Sequence, residues 1–325
     1  MTPDILLIGQ VTVDDTVPAA PGRWQRRLGG NALYSVAGAR LWCDPKRVGM
    51  VALIPENLPF DVFEILARAG LSSDGLKRTS QEALIEWIVY EEDGERQSMP
   101  RNHALRDPAV DLQTLYNRYV THLGDLSASF QDIPEDWLPA KAIHLAPQVA
   151  ERHREACVAL RLRTEFLSVD PSPHYSRGAT PDELQGLLRG ASAFLPSQAE
   201  IEHLGQPESD WCLVAKELQA SGFPEVVLKR GSAGCILATG DSKQVQVLPG
   251  GAALPVDLTG AGDAFSGAYA ASRGLGHTPR EATERALVAA SMIIECSGAI
   301  EALQLRPQDA SRRLDQYIDA QISSR

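Results

Sequence analysis

Short runs of consecutive apolar residues alternate along the chain with longer stretches in which apolar positions recur every three or four residues. The first run, 5–8, precedes a helical pattern over 32–41, and the second, 48–53, precedes one over 60–69. Runs at 142–145, 166–169, 193–195 and 226–229 continue the series, with helical patterns over 150–163, over 181–188 and ahead of Gly222. Apolar runs too short for helices read as strands buried on both faces, and their separation by helices predicts β-α units winding a mostly parallel sheet. Gly231 and Gly234 turn the chain after the 226–229 strand into 235–238 and 245–248, which read as a meander at the sheet edge. The last third predicts helices over 263–273, 279–296 and 309–322.

One stretch breaks this rhythm. Residues 82–90 and 95–99 alternate apolar with polar positions around Glu92-Asp93-Gly94, the pattern of a hairpin with one wet face. Residues 11–17 look similar. Two such pieces inserted early into an α/β core read as a small sheet standing off the main domain, a candidate lid, or else as an edge extension of the main sheet. No internal repeat, low-complexity tract or charge run marks a linker.

The chain has 325 residues, 44% of them apolar and 22% charged, enough for one large domain with a substantial core. Its formal net charge of −11 argues against gripping a nucleic acid, so any bound anion must be held locally, by backbone amides or a few placed cations. Five scattered cysteines (Cys43, Cys157, Cys212, Cys235, Cys296) contain no Cys-x-x-Cys pair, which suits a reducing compartment rather than a disulfide framework. The opening stretch carries Asp4 and no basic leader, and no apolar run reaches spanning length; a cytoplasmic protein without membrane contact is expected.

The most informative segment runs from Pro255 to Phe265. Gly260, Ala261 and Gly262 sit where a loop turns into a helix whose face is built of Ala264, Gly267, Ala268 and Ala271. Such a turn lets backbone N–H groups approach a ligand, and the helix start adds about half a positive charge. Asp263 is out of place in an anion site. A lone carboxylate there is a common helix cap, yet transfer of a phosphoryl group to an alcohol needs both parts: amides for the charge on the transferring group and a carboxylate to take the hydroxyl proton.

The motif Asp257-x-Thr259-Gly260-Ala261-Gly262-Asp263-x-Phe265 closely resembles the C-terminal signature of the ribokinase-like (PfkB) carbohydrate kinases. Ile5 to Gly9 followed by Asp14 resembles that family's first strand and substrate-binding aspartate, and Gly29-Gly30-Asn31 its double-glycine turn under the sugar. Val227 to Gly234 resembles the strand and turn lining the nucleotide, and Phe194 to Glu200 the segment associated with magnesium and phosphate. The resemblance covers the chain from end to end. It implies one domain over 1–325 with a three-layer α/β/α fold, a central mostly parallel sheet and a small β lid from about 11–28 and 82–104.

By the same resemblance Asp263 is the general base and Gly260, Ala261 and Gly262 form the anion hole. Thr12, Asp14, Gly29, Gly30, Asn31 and, from the lid, Arg101 face the acceptor. Ser197, Lys229, Gly231 and Gly234 line the ATP site, Glu200 meets Mg2+ through water, and Asp257, Thr259 and backbone at Gly298 form a monovalent-cation site for K+. The chain departs from the pattern at Ser197 and Tyr34, where Asn is usual, at Leu258 and Lys229, where Thr is common, and at Thr12 and Ala146, which stand for a ribose-binding Asn and Glu.

The implied activity is ATP-dependent phosphorylation of an alcohol, read as a primary hydroxyl of a sugar or sugar-like molecule. Alternatives are a nucleoside or sugar-acid kinase of the same family, or a kinase-like sugar sensor that binds without turnover. A dinucleotide-binding fingerprint, a Gly-Lys phosphate loop and a Gly-x-Ser-x-Gly elbow are all missing. Partners are then the acceptor and ATP, with the chain a monomer or a homodimer through the lid.

Overall fold

A computed structural model describes residues 2–17, 25–90, 96–97, 112–205, 210–242 and 244–323. In chain order its strands and helices are β1 (Ile5–Ile8), β2 (Thr12–Val17), β3 (Gln25–Gly29), α1 (Asn31–Ala39), β4 (Val48–Pro55), α2 (Val62–Arg68), β5 (Leu76–Thr79), β6 (Ile85–Tyr90), β7 (Arg96–Gln97) and α3 (Leu112–Asp125). There follow β8 (Ala140–Leu145), α4 (Ala150–Leu160), β9 (Thr164–Val169), α5 (Pro173–Ser176), α6 (Pro181–Leu187), β10 (Ala193–Phe194) and α7 (Trp211–Ala220). The chain ends with β11 (Glu225–Lys229), β12 (Cys235–Thr239), β13 (Gln246–Leu248), α8 (Ala261–Gly274), α9 (Pro279–Ile293), α10 (Ala299–Ala302) and α11 (Pro307–Ser323).

Among the described residues nine strands form one sheet, in the order β13-β12-β11-β10-β9-β8-β1-β4-β5. It is parallel from β11 through β5, and only the meander β11-β12-β13 is antiparallel. Burial on both faces explains the unbroken apolar runs. Ile5 and Leu7 of β1 pack into a core shared with α1, α8 and α9, while Leu6 and Ile8 point into a second core with α4, α6 and α7. These two cores are the interfaces of a three-layer α/β/α fold.

The alternating segments form a separate four-stranded sheet, β3-β2-β6-β7. Strand β6 pairs antiparallel with β7, as the hairpin pattern predicts, and parallel with β2. Strand β3 follows from no apolar pattern, although it closes the 11–28 lid segment; it pairs antiparallel with β2 to fill the edge. The predicted helices over 32–41, 150–163 and 279–296 end early, at Ala39, Leu160 and Ile293, where the chain must turn toward the next strand or loop. No helix among the described residues is long and apolar enough to cross a membrane.

Helix α8 lies unusually close to its neighbours because small residues face them. A Cβ at Gly267 would stand 2.0 Å from the Ser35 carbonyl oxygen, one at Gly38 would stand 2.0 Å from that of Ala264, and one at Gly274 would meet Ile5 and Ala142 of the sheet. At the far end Glu225 of β11 accepts a 2.6 Å hydrogen bond from Tyr269 and pairs with Arg273 at 2.6 Å, pinning α8 to the sheet. Since one methyl group has no room between α1 and α8, Gly267→Ala is expected to cost about 2 kcal/mol or more. Chemical denaturation checks this; a midpoint equal to that of the unaltered protein would contradict the contact.

Candidate active site

The parallel strands all end on one side, and their carboxyl ends hand over to the residues singled out by sequence. Strand β1 leads to Gln10, β8 to Pro147, β9 to Asp170, β10 to Ser197, and β11 ends at Lys229. Crevices at that edge of an open parallel sheet are where such folds bind ligands. Here they meet the small sheet and the start of α8 around a cavity of about 600 Å³, whose lining includes Thr12, Asp14, Gly30, Asn31, Glu200 and Asp263.

The loop-to-helix turn is built as its glycines suggest. Gly260 caps α8 in the left-handed region (φ 78°), and a Cβ there would lie 2.1 Å from the Tyr34 ring, so only glycine serves. The Ala261 N–H makes a long 3.4 Å bond to the Leu258 carbonyl, the Ala264 N–H bonds Gly260 at 2.9 Å, and among the described residues no acceptor takes the Gly262 N–H. That donor remains for an anion, beside the positive end of a 14-residue helix. Asp263 lies in the first turn and lines the cavity with Thr259 and Gly260. The predicted carboxylate thus shares the cavity with Gly260, and Ala261 and Gly262 follow in the same helical turn. Burial pushes the Tyr34 phenol well above its usual range, and Asp14, Asp257 and Asp263 push it further, so it remains a protonated donor among carboxylates.

Asp14 and Asp15 belong to β2 rather than to a loop, and alternation sends them opposite ways. Asp15, fully buried, takes a bidentate grip from Arg26 at 2.8 and 2.7 Å. Asp14 lines the cavity, its Oδ1 accepting a 2.6 Å bond from Thr12. Gly29, paired with Thr12 on the neighbouring strand, leaves room for it: a Cβ there would sit 1.8 Å from the Asp14 carboxylate. Gly30 caps α1, whose first residue, Asn31, is largely committed to structure. Its Oδ1 accepts the Gln10 N–H at 2.8 Å and its Nδ2 donates to the Pro147 carbonyl at 2.9 Å.

Lys229 does not end β11 in solvent. It is buried, its Nζ 2.5 Å from Asp170 Oδ2 and 3.4 Å from the Ser266 hydroxyl of α8. Burial pushes the ammonium down, but Asp170 and Glu200 outweigh it and hold it above its usual range. Behind the anion turn, 3.6 Å from where a Gly262 Cβ would stand, Lys229 is a fixed positive charge with its own counter-ion. Glu200 accepts the Ser197 N–H at 2.6 Å, and burial together with the charge of Asp170 pushes its carboxyl up to about 7. Gly231 and Gly234 shape the β11–β12 turn and do not line the cavity, and Arg101 lies outside the described residues.

The oxygen donors fit a magnesium ion held mainly by nucleotide phosphates and water. Glu200 faces the cavity, and the buried Asp170 Oδ1 has no hydrogen-bond partner among the described residues. The residues implied for a monovalent cation do not fit one. Asp257 Oδ1 accepts the Thr259 N–H at 2.9 Å, its Oδ2 is paired with Arg27 at 3.0 Å, and the stem of Arg27 runs beside Gly298. A guanidinium fills the place. Arg27, Asp170 and the cavity-lining Tyr119, His174 and Arg177 are site residues that sequence reasoning missed. The polar β3 and the Asp170-Pro171-Ser172-Pro173-His174 run after β9 were the available signals.

A family model described as pfkB family carbohydrate kinase matches residues 4–306. The chain is 25% identical over 294 residues to the cytidine kinase of Thermococcus kodakarensis, covering 90% of this chain and 96% of that one. Among solved structures it resembles the Methanocaldococcus jannaschii nucleoside kinase, with a TM-score of 0.69, 14% identity, and 97% and 99% of the two chains covered. Arabidopsis thaliana ribokinase complexed with ribose and ATP superposes with a TM-score of 0.66 and 18% identity, over 97% and 99% of the two chains.

Two outcomes follow from the buried charges. Lys229→Met strands Asp170 and is expected to destabilise the protein by about 3–5 kcal/mol, whereas the double variant with Asp170→Asn loses less; equal losses in denaturation would refute the pairing. A carboxyl raised in the native state, like Glu200, supports stability in full below about pH 4.5, its unfolded value, and loses that support as pH rises through about 7. Between pH 5 and 8 Glu200→Gln should therefore lose less stability than the unaltered protein, and parallel profiles would show that Glu200 titrates normally.

Proposed function

Because the chain belongs to the pfkB family of carbohydrate kinases, we propose that its cavity holds the alcohol of a sugar or sugar-like acceptor against Asp263, which takes the hydroxyl proton as the oxygen attacks the terminal phosphoryl group of ATP. The observation that carries this reading is the junction at α8, where the cavity-lining carboxylate of Asp263 and the uncommitted backbone donor of Gly262 share one helical turn. The new O–P bond forms as the bond to the leaving nucleotide diphosphate breaks, and the proton passes to Asp263. Amides at Gly260 to Gly262, backed by the α8 dipole and by Lys229 behind them, stabilise charge on the transferring group. Asp14, oriented by Thr12, and the Gly29-Gly30 turn hold the acceptor, and the small sheet covers it from water. A magnesium ion near Glu200 and Asp170 would supply charge neutralisation on the phosphates.

A nucleoside acceptor is favoured as a second reading by one feature of the wall. Tyr119 of α3 and His174 of α5 line the cavity with ring centroids 5.7 Å apart and planes tilted by 46°. Burial and nearby Arg177 hold the His174 imidazole below its usual range, so it stays an uncharged ring suited to the face of a base. The cytidine kinase relative points the same way.

An ADP-release assay over pentoses, hexoses, sugar acids, polyols and nucleosides names the acceptor, and silence across the panel with tight ligand binding would replace the kinase reading by that of a sensor. Asp263→Asn is expected to lower kcat by at least ~10²-fold with little change in nucleotide affinity. Turnover at the unaltered rate would remove the assigned base.

A further inference from the structure

The small sheet and the loop ahead of α8 are joined by an ion pair spanning 230 residues of sequence, Arg27 Nη1 to Asp257 Oδ2 at 3.0 Å. Its surroundings are ordered from both sides. The Val256 and Asp257 N–H groups donate to the Ile294 carbonyl at the end of α9, at 2.7 and 3.1 Å, which fixes the loop's base. The other carboxylate oxygen, Oδ1, accepts the Thr259 N–H and so sets the turn into Gly260. On β3, Arg27 stands directly across from Asp14, and its second nitrogen donates to Gln25. Its methylene stem passes Gly298, where a Cβ would stand 3.4 Å from Cδ. The Asp257 side chain is 8% exposed and that of Arg27 25%, so the pair is largely shielded from water and salt.

We infer that Arg27 is a tethered cation for the anion-binding turn: its guanidinium neutralises Asp257 from within the chain and holds the loop in shape, so that the site works without a dissolved monovalent cation. This rests on the kinase reading of the site. A carboxylate already neutralised by a guanidinium offers K+ no net negative charge, and a second positive charge beside Arg27 would be repelled. A planar fork on a strand also does what an ion cannot: it ties the acceptor-facing sheet to the loop that presents the anion site. Arg27 touches no reacting atom in this scheme and is a positioning residue.

The test compares KCl with tetramethylammonium chloride at equal ionic strength, using three readouts: turnover, calorimetric binding of a non-hydrolysable ATP analogue with Mg2+, and thermal unfolding. The unaltered protein should show turnover and analogue affinity that agree within about twofold in the two salts. In tetramethylammonium Arg27→Ala should lose about tenfold or more in kcat, bind the analogue more weakly, and regain part of both on adding K+ or guanidinium ion. Activation of the unaltered protein by K+ of more than about fivefold, in turnover or in analogue binding, overturns the inference. So does an Arg27→Ala protein that performs normally without K+, or one that melts cooperatively yet recovers with neither ion. If Arg27→Ala does not fold, the unaltered protein's response to K+ decides. Should no acceptor be turned over at all, the kinase reading fails by itself, while analogue binding and melting still judge Arg27.

Discussion

Everything at the cavity depends on how near the backbone of α8 comes to that of α1. Glycines at 38 and 267 let each helix touch the other's carbonyls, and Gly260 lets the end of α8 rest on the Tyr34 ring. Helices separated by ordinary side chains would sit farther apart. The start of α8 would then be withdrawn from the strand ends, and its amides would face protein or bulk water instead of the crevice. Small residues in this helix do not merely permit packing; they place a dipole end where a parallel sheet leaves its opening.

A strongly acidic chain has built this anion site by local means. Lys229 supplies a positive charge behind the turn and is held there by Asp170 and Ser266, while Arg27 supplies another in front of Asp257. Both cations carry their own carboxylate, so the site gains oriented donors with little net charge. Asp263 is left as the carboxylate at the helix start, and Glu200 is kept from full ionisation at neutral pH by burial and by Asp170.

The sheet was legible because burial on both faces writes itself into sequence as unbroken apolar runs, and the small sheet because one wet face writes itself as alternation. The α8 turn was legible because its parts are contiguous. What sequence reasoning missed has the opposite character. Strand β3 is polar on both sides of its pleat until Leu28, being ordered by β2 rather than by a core of its own. Asp170 directly follows the 166–169 strand run, and nothing local links it to Lys229, 59 positions away. The same holds for Arg27, whose partner lies beyond the whole central sheet in sequence. Lys229 was noticed as a residue of the nucleotide site, but its burial and its Asp170 partner were not legible, because a basic residue at a strand end is usually solvated and only the fold shows that this end is inside.

The Lys229–Asp170 pair also limits how such a protein can change over generations. Each residue is tolerated in the interior because of the other, so replacing either one first passes through a chain with a lone buried charge. Descendants that lack the pair must therefore have crossed a poorly folding intermediate, or have acquired a compensating change at Ser266 or elsewhere beforehand. Divergence at these two positions is locked together, and the order of substitutions matters more than their identity.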